Sequence, residues 1–162
     1  MKRGERAILI LIAIVVLALM GRNLWHIEAG YEVDKGIPYY STATATIARD
    51  AMNLYHQQGC KNCHSLWTVR NPLESVPAPI LDGIGSLRTE EWLYKYFTSP
   101  DPQEILPSRL KPEYRMPSYS DLSDNDRHLL AQYMASLKVK DWYLEDTRKA
   151  EYEKLTGKEY GH

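Results

Sequence analysis

The chain has 162 residues, with 20 Lys and Arg against 21 Asp and Glu for a formal net charge of −1. That length suits one core with appendages. The near-neutral balance excludes the strong basic field by which a protein holds nucleic acid, and the two cysteines fall within one short motif that leaves neither for a structural disulfide.

Lys2, Arg3 and Arg6 precede an uncharged apolar run from Ala7 to Met20, the plan of a secretory signal or of an uncleaved anchor. Its 14 residues make about 21 Å of helix, short of the ~30 Å hydrocarbon core. Extension to Trp25 gives sufficient length if Arg22 snorkels and Trp25 sits at the interface. Ala18-Leu19-Met20 ends in a bulky residue, unlike an A-x-A cleavage site, and no nearby cysteine offers a lipid attachment point. Residues 1–25 therefore read as a cytoplasmic basic start and a retained single transmembrane helix, with a cleaved signal as the alternative. The positive-inside rule then puts everything after Trp25 on the outer face.

Residues 26–44 show no sustained helical period and contain Gly30, Gly36 and Pro38, as a tether does. Its tyrosines, Tyr31, Tyr39 and Tyr40, are either scattered aromatics or contacts for headgroups or a partner. From about Thr46 to Gln58, Ile47, Ala51, Leu54 and Tyr55 recur at helical spacing, and Gly59 ends the helix directly before Cys60-Lys61-Asn62-Cys63-His64.

C-x-x-C-H is the signature of covalent c-type haem attachment. Two thiols at this spacing add to the two vinyl groups of a haem, and the adjacent imidazole becomes the proximal iron ligand. Cys60 and Cys63 would thus hold one haem c, and His64 its iron. A redox dithiol has no need of the adjacent His, and a zinc site needs a second ligand pair. In bacteria such attachment occurs outside the inner membrane, so motif and anchor agree on a single-pass protein with its haem domain on the periplasmic side.

With a helix running into this motif, and a small residue and an aromatic a turn apart at Ala51 and Tyr55, the chain resembles the class I c-type cytochromes. The resemblance implies an all-α domain over residues 45–138, wrapped around one covalent haem. It also implies that a proline carbonyl accepts the N–H of the proximal imidazole, which fixes its tautomer. Pro79, two residues before Leu81, is the best match, and Pro77 is close enough to compete.

A second helix is expected from Thr89, a capping residue followed by Glu90 and Glu91, to Phe97, with Trp92, Leu93, Tyr96 and Phe97 on its apolar face. After a proline-rich loop comes Tyr114-Arg115-Met116-Pro117-Ser118-Tyr119. A Met-Pro loop shortly before a closing helix is where the resembling family places its distal ligand, which assigns that role to Met116. Met134, His56 and His128 are the competing ligands, and Met52 reads as core. Leu81, Trp92 and Tyr119 would bury the haem. The closing helix opens at Ser123, presents Leu129, Leu130, Tyr133, Met134 and Leu137, and should cross the first helix at Ala51 and Tyr55.

Residues 139–162 alternate in charge around Trp142 and Tyr143, which suits a solvated helix or a docking arm for a partner subunit. The chain is also similar to the mono-haem subunits of haem-copper oxidases and nitric oxide reductases. These likenesses imply one-electron transfer without catalysis of its own or a small-molecule substrate. Its partners would be other redox subunits of a membrane respiratory complex or a soluble electron carrier. The alternatives are a free anchored carrier, a haem sensor or gas-binding module, and a peroxidase, for which Arg115 is the only polar candidate near Met116.

Overall fold

The computed structural model describes residues 3–29, 35–67, 69 and 76–161. The calls on Tyr31, on the polar loop at 70–75, on His162 and on the side chains of Trp25 and His26 lie outside the described residues. The chain forms two compact units, Met1–Gly36 and Ile37–His162.

Among its described residues the first unit holds one helix, α1 (Arg3–Ala29), whose apolar side chains from Ile10 to Met20 are exposed. Among the described residues, no helix is long and apolar enough to cross a membrane. The transmembrane helix expected over residues 1–25 is thus unsupported at the level of the fold. The uncharged run is short of the bilayer core, and Arg22 interrupts its extension.

The second unit is mostly helical, built from α2 (Ala45–Gln57), α3 (Ile84–Leu87), α4 (Glu90–Thr98), α5 (Asp124–Ser136) and α6 (Leu144–Thr156). Three of these start at side-chain caps, of which Thr89 and Ser123 are the ones expected from the sequence. Thr44 accepts from the Ile47 amide (3.4 Å), Thr89 from Trp92 (3.2 Å) and Ser123 from Asp126 (3.1 Å). Helix α5 packs against both α2 and α4. Ala51 on α2 and Ala131 on α5 are fully buried, and Tyr55 nearly so, since small side chains permit a close helix crossing.

A two-stranded antiparallel sheet departs from the all-α expectation. β1 (Tyr39–Ser41) pairs with β2 (Leu137–Val139), Tyr39 opposite Val139. Around it, the Lys140 amide donates to the Pro38 carbonyl (2.9 Å) and the Thr42 amide to Ser136 (3.0 Å). The second half of the expected tether is therefore part of the folded unit, with Tyr39 edge-on to Tyr143 at 5.5 Å between ring centroids. Strands of three residues carry no readable alternation.

Two glycines set how closely α3 approaches this sheet. Gly83 has φ +83°, a left-handed conformation that suits glycine. A β-carbon at Gly85 would stand 2.1 Å from the Ala135 carbonyl oxygen and 2.8 Å from that of Leu137. Because both obstacles are backbone, Gly85→Ala is expected to cost roughly 2 kcal/mol of stability, as overpacking does. Thermal unfolding of the haem-loaded chain reads this as a midpoint several degrees lower. An unchanged midpoint would mean that α3 and the end of α5 are not in this contact.

Candidate functional site

Helix α2 delivers the motif. The chain leaves α2 at Gln58, reverses through Gly59 at φ +69°, and enters a short 3-10 turn at Cys60–Asn62. The His64 amide donates to the Cys60 carbonyl (2.9 Å), and the buried Tyr55 of α2 donates its hydroxyl to the His64 carbonyl (3.2 Å). The backbone at the motif is therefore held from both sides. Cys60 and Cys63 form no disulfide.

Downstream, the extended segment carrying Pro77 and Pro79 returns past the motif. The Leu81 amide donates to the Ser65 carbonyl (3.0 Å), and the Pro79 carbonyl lies 2.7 Å from His64 Nδ1. Between the two prolines the bond falls to Pro79. A carbonyl only accepts, so Nδ1 carries the proton and the Nε2 lone pair remains for a metal. Burial lowers the proton affinity of this imidazole, while the Pro79 bond opposes that effect. Trp67 anchors the same stretch in a left-handed conformation (φ 53°). Its amide donates to the buried carboxylate of Asp82 (2.8 Å), and its indole N–H to the Tyr133 hydroxyl (3.3 Å).

The eight side chains singled out in the sequence, Cys60, Cys63, His64, Pro79, Leu81, Trp92, Met116 and Tyr119, all line one cavity of about 540 Å³. Its remaining wall includes Ile84, Leu93, Phe97, Leu130 and Met134. Burial raises the Tyr119 phenol well above its ordinary range, and its oxygen lies 3.8 Å from Cys60 Sγ. Two thiols at the end of an apolar cavity, with an imidazole oriented by its other nitrogen, are a donor set that fits a covalently held haem.

Of the competing ligands, Met134 lines the cavity from α5, whereas His56 and His128 do not. His128 is exposed and bonds to Asp124. Met116 is half-buried on its loop. That loop is held in register by Gln103, whose Nε2 donates to the Met116 carbonyl (3.4 Å) while its Oε1 accepts from the Ser108 amide (3.1 Å). Ser118 adds a bond to the Ser99 carbonyl (2.9 Å), and Arg115 spends its Nε on the Leu110 carbonyl (2.8 Å). Among the described residues, no group of three or more His, Cys, Asp or Glu is placed to hold a metal ion.

The cavity also has lining residues that the sequence did not reveal. Arg88, Gln103, Glu151, Lys154 and Leu155 reach it, the last four from segments read as loop or tail. α6 is a solvated helix, with no buried residue, that is nevertheless tied to the domain at single points. Glu151 pairs with Arg88 at 3.1 Å, Arg109 Nε donates to the Lys154 carbonyl (3.4 Å), and Tyr143 meets Tyr39. No periodicity marks a helix that is held by isolated contacts and not by an apolar stripe.

A family model described as Cytochrome c matches residues 48–138, just over half of the chain. No curated protein and no solved structure matches it.

Proposed function

The chain belongs to the cytochrome c family, and on that premise we propose that it is a membrane-anchored, mono-haem electron relay with His64 and Met116 as axial ligands. Membership brings covalently bound haem c with its iron, an electron-carrier role and redox partners. When bound, haem c supplies a one-electron couple at its iron. The protein's part is to hold that group rigidly and to set its potential.

Cys60 and Cys63 would make the two thioether bonds, and His64 would offer Nε2. The bond from Nδ1 to Pro79 orients the ring and strengthens it as a donor. Met116 would ligate the iron with a soft thioether, which favours the reduced state relative to harder ligands. Leu81, Trp92 and Tyr119 would keep water from the macrocycle. A site closed on both axial sides has little room for substrate chemistry, which favours relay over catalysis. The single observation that carries this reading is the convergence of both cysteines, His64 and Met116 on one cavity, with Nδ1 of His64 already engaged.

The anchor rests on the sequence plan and on the exposed apolar side chains of α1. It would fix the haem domain to the outer face of a bacterial inner membrane, beside the redox subunits of a respiratory complex or within reach of a soluble carrier. To test the whole reading, the haem-loaded full chain is fractionated, extracted in mild detergent and titrated spectroelectrochemically. A membrane-bound chain with one n = 1 wave and a low-spin ferric spectrum is expected. Recovery without detergent would overturn the anchor. A high-spin ferric spectrum with ready binding of cyanide would favour the sensor reading.

A further inference from the structure

We propose that Glu151, brought in by a helix outside the matched family span, is a positioning residue that holds and neutralises Arg88 at the haem cavity wall and so sets the reduction potential. Arg88 Nη2 lies 3.1 and 3.2 Å from the two carboxylate oxygens of Glu151, and the two side chains are only 22% and 14% exposed. Arg88 Nη1 also donates to the Leu87 carbonyl (3.0 Å). The guanidinium carbon sits 5.0 Å from the centroid of the Trp92 ring, which in turn stacks on Tyr96 at 5.2 Å and 11°. Arg88, Trp92, Tyr96 and Glu151 all line the cavity. A layered wall thus runs from α6 through the cation to α4.

The position of α6 is fixed independently of this pair. Tyr143 packs against Tyr39 before the helix begins, the methyl of Thr147 lies near Gly83, and Arg109 bonds to the Lys154 carbonyl near its end. Glu151 is therefore carried to Arg88 by a helix seated at three other points. The remaining charged side chains lining the cavity, apart from His64, are Glu113, Arg115 and Lys154, and all three are exposed. Solvent screens those charges, whereas the half-buried pair acts through a low-dielectric wall.

The electrostatic consequence has a definite sign. A bare guanidinium at the wall disfavours the more positive ferric state and raises the potential. Glu151 cancels that charge and holds the side chain over Trp92. Without Arg88, a carboxylate in this half-buried position has lost its counter-charge and tends to take up a proton. Burial already pushes the Glu151 carboxyl up, and Arg88 opposes it.

The inference rests on haem occupying this cavity, but not on Met116 being its ligand. The test is a cycle of midpoint potentials on the haem-loaded full chain: wild type, Glu151→Gln, Arg88→Gln and the double variant. Glu151→Gln is expected to raise the potential in the wild-type background and to leave it nearly unchanged in the Arg88→Gln background. Equal shifts in both backgrounds, or none in either, would overturn the assignment. Glu151→Asp, which keeps the charge on a shorter side chain, should stay closer to wild type than Glu151→Gln, and the reverse order would also overturn it. The ferric charge-transfer band characteristic of thioether ligation should persist in every member. Its absence from the wild type would refute Met116 ligation and leave the potential comparison readable.

Discussion

Met116→Ala should lower the midpoint potential and convert a closed site into one that binds imidazole or cyanide. The thioether stabilises the reduced iron more than water or hydroxide does. Its loss is expected to shift the potential by on the order of 100 mV, a fraction of the roughly 0.8 V that axial ligation spans. The charge-transfer band should disappear with it. Met134, the second methionine on the cavity wall, supplies the control. It is 4% exposed on α5 and belongs to the hydrophobic core, so Met134→Ala should cost about 2–5 kcal/mol of stability, as buried Met truncations do, yet keep the band. The opposite pattern, a band kept in Met116→Ala and lost in Met134→Ala, would move the distal ligand to α5. Gln103 and Ser118 hold the Met116 loop to the body of the domain, so the vacancy should not be refilled by loop collapse.

Features of this fold were legible in the sequence where one residue or one short period suffices to cause them. Thr89 and Ser123 cap helices because a hydroxyl before an apolar period has an orphan amide to accept from. The Pro79 bond to His64 is one that the resemblance to class I cytochromes implied, on a segment that proline keeps extended. What escaped depends on partners far away in the chain. β1 forms because β2, nearly a hundred residues later, offers three pairing positions. Gly85 matters because the Ala135 carbonyl crosses above it. Arg88 gave no signal, since its partner Glu151 stands in a stretch whose many charges look alike. The expected boundary at residue 138 coincides with the end of the matched family span, and the compact unit runs on to the C-terminus through contacts that α6 makes one residue at a time.

Loss of covalent attachment should have the greatest effect on the fold itself. In Cys63→Ser, one thioether remains through Cys60. The haem should stay with the chain on a denaturing gel, and its pyridine haemochrome band should move to the red because one vinyl group stays conjugated. In the double variant Cys60→Ser/Cys63→Ser neither bond forms, and denaturation should release all the haem. A cavity of about 540 Å³ left empty would cost on the order of 13 kcal/mol at ~24 cal/mol per Å³. Water entry and collapse reduce that figure, but a domain of this size has only about 5–15 kcal/mol of stability in total. The haem-free chain should therefore lose the packing of α2, α4 and α5 around the cavity and unfold without a cooperative transition, as seen by far-UV circular dichroism on heating. Haem retained by the double variant on a denaturing gel would disprove attachment through Cys60 and Cys63. A haem-free chain that melts cooperatively at the wild-type midpoint would show that the apolar wall packs without the cofactor.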